Sequence, residues 1–331
     1  MKYKAIFNLI LILLVTFLLI EVILYIFKPS VYEYSKSVGW QIKKNYNKEF
    51  KFKDFYNRKY KGTFKTNKYG ARQIGDEVSN YKILVIGDSF TMDPHTGNDQ
   101  AWFGILKHGL EKKYKKKFLI SAIGGGGYGT NQQYIITKDY LKKTNHKHDL
   151  VILQFCINDF MNNSFDWETK TENYSQFLRR PYYVDGNHYF FLDHFLGNIM
   201  RNKLISKFKS PNYFFLIFAL IERKYFQKDT PSYIKQDSLK ITHELLMKLN
   251  NLFNNEIYVF NCKETKTFPE NQWSRILTNS GFNVLENPSV KLNKISKKEK
   301  IFFKDGGHYN ELGNKILGNF ILDEIIERNL F

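Results

Sequence analysis

From Tyr81 onward, short unbroken apolar runs alternate with longer stretches in which apolar residues recur every three or four positions. The runs ILVI (Ile83–Ile86), FLISAI (Phe118–Ile123), LVILQF (Leu150–Phe155) and IYVF (Ile257–Phe260) predict strands buried on both faces, because no polar alternation marks a wet side. Helical spacing marks the stretches Trp102–Tyr114 and Asn131–Lys143. It recurs in the leucines 239, 245, 246, 249 and 252, and in a final set of Leu312, Ile316, Phe320, Ile321 and Ile325. Strands alternating with helices of this length predict an α/β architecture, a parallel sheet with helices packed on both faces.

Two regions break the pattern, and a third precedes it. Residues 30–80 are polar, basic and tyrosine-rich without sustained periodicity, which predicts a membrane-proximal lead-in packed on the main domain. Between about 160 and 235 the alternation lapses, and an insertion with some helix and a short hairpin is expected there. It contains RRPYYVDGNHYFF and the apolar patch YFFLIFALI, too short to cross a membrane. At the amino terminus, Lys2 and Lys4 precede AIFNLILILLVTFLLIEVILYIF (Ala5–Phe27), long enough to span a bilayer as one helix. Lys28-Pro29-Ser30 is a poor cleavage site and no lipobox cysteine follows, so an uncleaved signal anchor over 1–29 is expected. A short tail before a large downstream domain favours a cytoplasmic N-terminus with the domain outside, although Lys28, Lys36, Lys43 and Lys44 weigh against that sign. The organisation expected is an anchor (1–29), a lead-in (30–80) and a catalytic domain (81–331).

Composition changes this picture little. The 331-residue chain carries a formal net charge of +18, yet its lysines are spread along the chain with no nucleic-acid motif beside them, so no nucleic-acid partner is expected. The two cysteines, Cys156 and Cys262, each follow a predicted strand. Both a disulfide in an oxidising compartment and a pair of buried thiols fit that placement. No metal-ligand spacing is present, and the pair His146 and His148 stands alone, so neither metal nor cofactor is expected.

In an open parallel sheet, ligands gather beyond the carboxyl ends of the strands. Four segments fall at such ends: Gly87-Asp88-Ser89, the glycine run Gly124–Gly127, Cys156-Ile157-Asn158-Asp159, and Asp305-Gly306-Gly307-His308. Taken alone, Ser89 reads as a helix cap. A serine at a strand-to-helix turn also presents its hydroxyl to a helix dipole that favours developing negative charge, provided a base activates it and an acceptor orients that base. His308 and Asp305 are of the right kinds, two glycines apart. Acyl transfer further needs fixed donors for an oxyanion; Gly127 and Ser89 offer backbone N–H groups and Asn158 a side-chain amide.

The blocks GDSFT, GGGGYGT, INDF and DGGHYN, in that order, resemble the conserved blocks of the SGNH/GDSL hydrolase superfamily, and the leading helix and Gly39-Trp40 resemble its membrane-anchored bacterial members. The resemblance implies a three-layer, flavodoxin-like α/β/α sandwich. It also implies Ser89 as nucleophile, His308 as base and Asp305 as its orienting acid, with Ser89, Gly127 and Asn158 forming the oxyanion hole. Two departures stand out: Cys156 where the family usually has glycine, and Ala122 where it often has asparagine.

The activity expected is serine-dependent cleavage of O-acyl esters through an acyl-Ser89 intermediate, on a glycan or lipid substrate outside a bacterial cell membrane that the single helix anchors. A polysaccharide O-acyltransferase would use the same site, and Trp167, Tyr182, Tyr183 and Phe190 would suit glycan stacking, although ordinary core is the simpler reading of those rings. A non-catalytic envelope-binding protein is disfavoured by the intact Ser89, Asp305 and His308.

Overall fold

The computed structural model describes residues 2–27, 31–53, 59–93, 95–169, 180–190, 208, 232–262, 270–285, 288–303 and 307–331. Asp305 and the patch 213–221 lie outside them, as does most of the insertion expected at about 160–235.

The chain opens with helix α1 (Lys2–Phe27), whose 26 residues reach about 39 Å at the ordinary helical rise, more than a bilayer's hydrocarbon core. It is long and apolar enough to cross a membrane, and none of its span is buried in the protein. Five strands follow where the sequence predicts an irregular lead-in: β1 (Tyr32–Ser35), β2 (Gly39–Ile42), β3 (Asn47–Lys53), β4 (Lys59–Lys65) and β5 (Arg72–Ile74). The strands β1 and β2 form one antiparallel hairpin, β3 and β4 another. The next elements are β6 (Tyr81–Gly87), α2 (Ser89–Met92), α3 (Trp102–Tyr114), β7 (Phe118–Gly124), α4 (Thr130–Thr144) and β8 (Leu150–Phe155). Two short helices, α5 (Asn158–Asn163) and α6 (Phe165–Thr169), lead to the hairpin β9 (Pro181–Val184) and β10 (Asn187–Phe190). The chain ends with α7 (Ser232–Asn251), β11 (Ile257–Asn261), α8 (Glu270–Asn279), β12 (Asn283–Val284), α9 (Pro288–Ser296) and α10 (Glu311–Glu327).

One six-stranded sheet, in the order β12-β11-β8-β6-β7-β5, carries the fold. Its strands pair in parallel except β5, which runs antiparallel on the edge beside β7. The parallel part has the doubly wound order in which the chain reverses direction between the first and third strands, here β6 and β8. The four predicted strands are all present, and alternation along each one sends side chains to opposite faces. In β6, Ile83 and Val85 join Trp102, Leu106, Leu317 and Ile321 of α3 and α10 on one face. Leu84 and Ile86 join Tyr140, Leu246, Leu249 and Leu277 of α4, α7 and α8 on the other. The result is a three-layer α/β/α sandwich.

Cys156 and Cys262, just past the ends of neighbouring strands β8 and β11, are joined by a disulfide with a Cα–Cα distance of 5.2 Å across 106 positions of sequence. Of the two states open to these cysteines, the structure holds the bonded one, buried in the core. Cross-linking so long a loop restricts the unfolded chain, and removal of a native disulfide costs about 2–5 kcal/mol. We therefore expect thermal melts of the full chain in detergent to fall by several degrees on reduction under denaturing-permissive conditions, and Cys156→Ala/Cys262→Ala to reproduce the reduced midpoint. Equal midpoints for the oxidised protein and the double variant would show that the bond contributes nothing to stability.

Candidate active site

Strand β6 ends at Gly87, paired in register with Gly124 at the end of β7. Neither position admits a side chain. A Cβ on Gly87 would stand 2.2 Å from Thr91 Oγ1, and one on Gly124 would stand 2.1 Å from the Gly87 carbonyl oxygen. The two strand tips therefore close on each other, and the chain turns at once into α2. Asp88, fully buried, caps that helix by accepting the Phe90 N–H at 2.9 Å. The capping role open to Ser89 thus falls to its neighbour, and Ser89 is the first helical residue, half-buried. Thr91 Oγ1 donates to Gln154 Oε1 of β8 at 2.7 Å, and Trp102 Nε1 donates to the same oxygen at 3.1 Å, which pins α2 over the β6–β8 switch point.

The glycine run lies beside it. Tyr128 N donates to the Gly125 carbonyl at 3.1 Å, closing a four-residue turn with Gly127 third at φ 69°, a position that favours glycine. Asn162 Nδ2 of α5 donates to the Gly127 carbonyl at 2.7 Å, whereas the Gly127 N–H has no acceptor among the described residues. Ala122, where the family often has asparagine, is core in β7.

Asn158 begins α5 past the end of β8, with its amide beside the Asp88 carboxylate. Cys156, in the place of the family's usual glycine, turns its sulfur into the core toward Cys262, so the substitution does not crowd Asn158. Cys156 Sγ also lies 3.4 Å from Asp88 Oδ1; a disulfide sulfur carries no proton, so this is packing. Below Asn158, the buried Asp159 accepts from Thr130 Oγ1 at 3.0 Å and Gln133 Nε2 at 2.9 Å, tying α5 to α4.

His308 reaches this edge from the far end of the chain. The Phe303 N–H donates to the His308 carbonyl at 2.9 Å, and the buried Tyr309 hydroxyl donates to the carbonyl of Cys262. Asn310 caps α10 through the Gly313 N–H at 2.9 Å. The imidazole lies 5.0 Å, centroid to centroid, from the ring of Phe90, the residue after Ser89. A second imidazole, His95, stands 6.1 Å from it against Phe303. The His95 turn is held by Asp93, whose Oδ1 accepts the His95 N–H at 2.9 Å, and by the buried Arg72, which donates to the carbonyls of Asp93 at 3.0 Å and Thr96 at 2.8 Å. The structure thus brings Ser89, Gly127, Asn158 and His308 to one sheet edge; Asp305 lies outside the described residues. Of the aromatics considered for glycan stacking, Tyr182 and Tyr183 are buried and Trp167 packs against the core.

The electrostatics centre on Asp88. Burial pushes its carboxyl up to about 6, against the pull of the Phe90 N–H, the Asn158 amide and the charge of His308. Burial raises Asp93 as well, opposed by the His95 N–H and the charges of His95, Arg72 and His308. Asp159 is raised well above the carboxylate range by burial and by the charge of Asp88. Sequence reasoning passed over Asp88 and Asp93, since an aspartate beside a motif serine reads as turn chemistry until its burial is known.

Residues 83–321, more than two thirds of the chain, match the family model described as GDSL-like Lipase/Acylhydrolase. The chain belongs to this family, the SGNH-type esterases. Similar solved structures include the lipase/acylhydrolase from Enterococcus faecalis, at 13% identity over 75% of this chain and 96% of that one (TM-score 0.43). Another is the psychrotrophic esterase EstA from Pseudoalteromonas sp., at 8% identity over 76% and 99% (TM-score 0.42). A third is Axe2, an acetylxylan esterase from Geobacillus stearothermophilus, at 14% identity over 75% and 94% (TM-score 0.41). No curated protein matches the sequence. The family assignment rests on the family model.

A raised carboxyl in the folded state makes its stabilising contribution below the unfolded value of 3.8, and that contribution is lost as pH rises through about 6. Asp88→Asn keeps an acceptor for the Phe90 N–H and carries no charge. Its stability relative to the parent is expected to rise between pH 4 and pH 7, by roughly 2–3 kcal/mol for a shift of this size. Denaturant titrations at the two pH values check this; a difference that does not change with pH would remove the buried charge from the account.

Proposed function

We propose that ester hydrolysis in this protein proceeds through an acyl-Ser89 intermediate. Ser89 Oγ attacks the ester carbonyl carbon as His308 takes the hydroxyl proton, and the carbonyl electrons move onto oxygen. The Ser89 and Gly127 N–H groups and the Asn158 amide face that oxyanion, each such donor supplying on the order of 3 kcal/mol. Collapse expels the alcohol, which leaves with the proton from His308. Water, deprotonated by the same imidazole, then attacks the acyl carbon, and Ser89 departs with its proton restored. Asp305 holds the imidazole in the required tautomer, a role it takes from the DGGH block alone.

The observation that carries this reading is the contact of His308 with Phe90, which sets an imidazole against the residue next to Ser89. The helix start at Ser89 and the glycine turn beside it support the same assignment. The substrate proposed is an O-acylated glycan or lipid. The domain is proposed to sit outside a bacterial cell membrane, tethered by α1. The membrane-length helix and the disulfide support that placement, because disulfides persist in oxidising compartments. Tyr182 and Tyr183 are buried, so neither ring offers a stacking platform that would favour transfer to a sugar over transfer to water.

The full chain in detergent micelles, assayed with p-nitrophenyl acetate, tests the mechanism. Ser89→Ala and His308→Ala are each expected to lose at least about a thousandfold in kcat, while His95→Ala keeps most activity. Retention of turnover by Ser89→Ala would overturn the serine mechanism, and loss in His95→Ala with retention in His308→Ala would exchange the two imidazoles. An acetylated product on an added glycan acceptor would redirect the second step to transfer.

A further inference from the structure

The family match begins at residue 83, yet the hairpin β1–β2, which directly follows the membrane-length helix, touches the glycine turn at several points. Tyr32 Oη accepts the Gly126 N–H at 2.8 Å. Trp40 Nε1 donates to the Gly126 carbonyl at 3.1 Å. The Tyr128 hydroxyl returns the contact by donating to the carbonyl of Trp40, and Gln132 Nε2 of α4 donates to the carbonyl of Val38 at 2.8 Å. The Trp40 ring is itself fixed, edge-on to Tyr128 at 5.7 Å and beneath the Arg180 guanidinium at 5.4 Å.

The consequence follows from peptide geometry. The Gly126 carbonyl and the Gly127 N–H belong to one planar trans peptide, so they point in opposite directions. A turn with two adjacent glycines at its centre has little steric preference of its own for how that central peptide faces. A donor holding the Gly126 carbonyl therefore decides where the Gly127 N–H points. The preceding N–H, that of Gly126, is drawn the other way by Tyr32 and withdrawn from competition. Burial pushes the Tyr32 phenol up to about 12, so it stays a neutral hydroxyl. Gly126 is glycine for the same reason: its φ is not positive, but a Cβ there would stand 2.6 Å from Tyr32 Oη.

We propose that Trp40 and Tyr32, from the hairpin that follows α1 in the sequence, are positioning residues that orient the Gly127 N–H toward the oxyanion. This rests on the acyl-Ser89 reading and adds to it a part of the site that the family match does not include. The hairpin ties the glycine turn to the part of the chain that follows α1.

Trp40→Phe removes the indole donor and keeps an aromatic ring against Tyr128 and Arg180. In the full chain in detergent, with p-nitrophenyl acetate, kcat is expected to fall about 10- to 100-fold with KM within about threefold, because the lost orientation is felt in the transition state. A wild-type kcat in a variant with an unchanged melting midpoint would overturn the proposal. If that variant folds poorly, a second cycle decides. Gly126→Ala is expected to cost several-fold more in kcat in the parent than in the Tyr32→Phe background, where the nearest ring atom would stand 3.5 Å from the new Cβ. Equal costs in both backgrounds would overturn the Tyr32 contact. Turnover retained by Ser89→Ala is a separate result that defeats the mechanism, whereas an inactive Ser89→Ala beside a fully active Trp40→Phe defeats this inference alone.

Discussion

A carboxylate buried at the tip of the central strand holds the candidate site together. Asp88 caps the helix that begins with Ser89, lies beside the Asn158 amide, packs on the disulfide sulfur of Cys156 and faces the charge of His308. Three segments distant in sequence meet around one side chain. Burying it costs free energy and so raises its pKa, and its capping bond and the groups nearby offset part of that cost. The site is built on a local conflict that the surrounding fold must sustain.

The fold sustains it by close approach and by cross-linking. Gly87 and Gly124 let the tips of β6 and β7 touch, so the turn carrying Ser89 and the glycine turn share a wall. The disulfide joins the ends of β8 and β11 directly beneath, and the Tyr309 hydroxyl on the Cys262 carbonyl extends that tie to the residue after His308. Arg72 braces the turn carrying His95 from the edge strand β5, and the β1–β2 hairpin braces the glycine turn from outside the central sheet. Both braces act on backbone, where small rotations redirect peptide groups.

Much of this was legible in the sequence for a simple reason. Parallel strands buried on both faces read as unbroken apolar runs, and the four expected were found. Three of the motif segments follow the ends of β6, β7 and β8, and His308 of the fourth lies against Phe90. The lead-in was less legible. The alternation in EFKFK and KYKGTFK is a period-two signal, but lysine and aromatic residues occur throughout this chain, and the signal drowned in the composition. The edge strand β5 is only three residues long and pairs with β7 antiparallel, which no local pattern announces. Asp88, Tyr32 and Trp40 escaped as functional candidates because their roles are contacts across the fold. A capping carboxylate, a phenol and an indole gain their meaning from what they touch. The choice of Gly127 within the four glycines came from its spacing to Tyr128. The Gly126 N–H is taken by Tyr32, whereas that of Gly127 has no acceptor among the described residues.

The most direct test of the central claim is to trap the intermediate. The full chain would be mixed with p-nitrophenyl acetate, quenched in acid during the first turnovers and digested, and the peptide containing Ser89 weighed by mass spectrometry. The account predicts one added acetyl group on Ser89, lost again when the quench is delayed until substrate is exhausted, and absent in His308→Ala. An acetyl group on another residue, or steady turnover with Ser89 never modified under conditions where the deacylation step has been slowed, would contradict it.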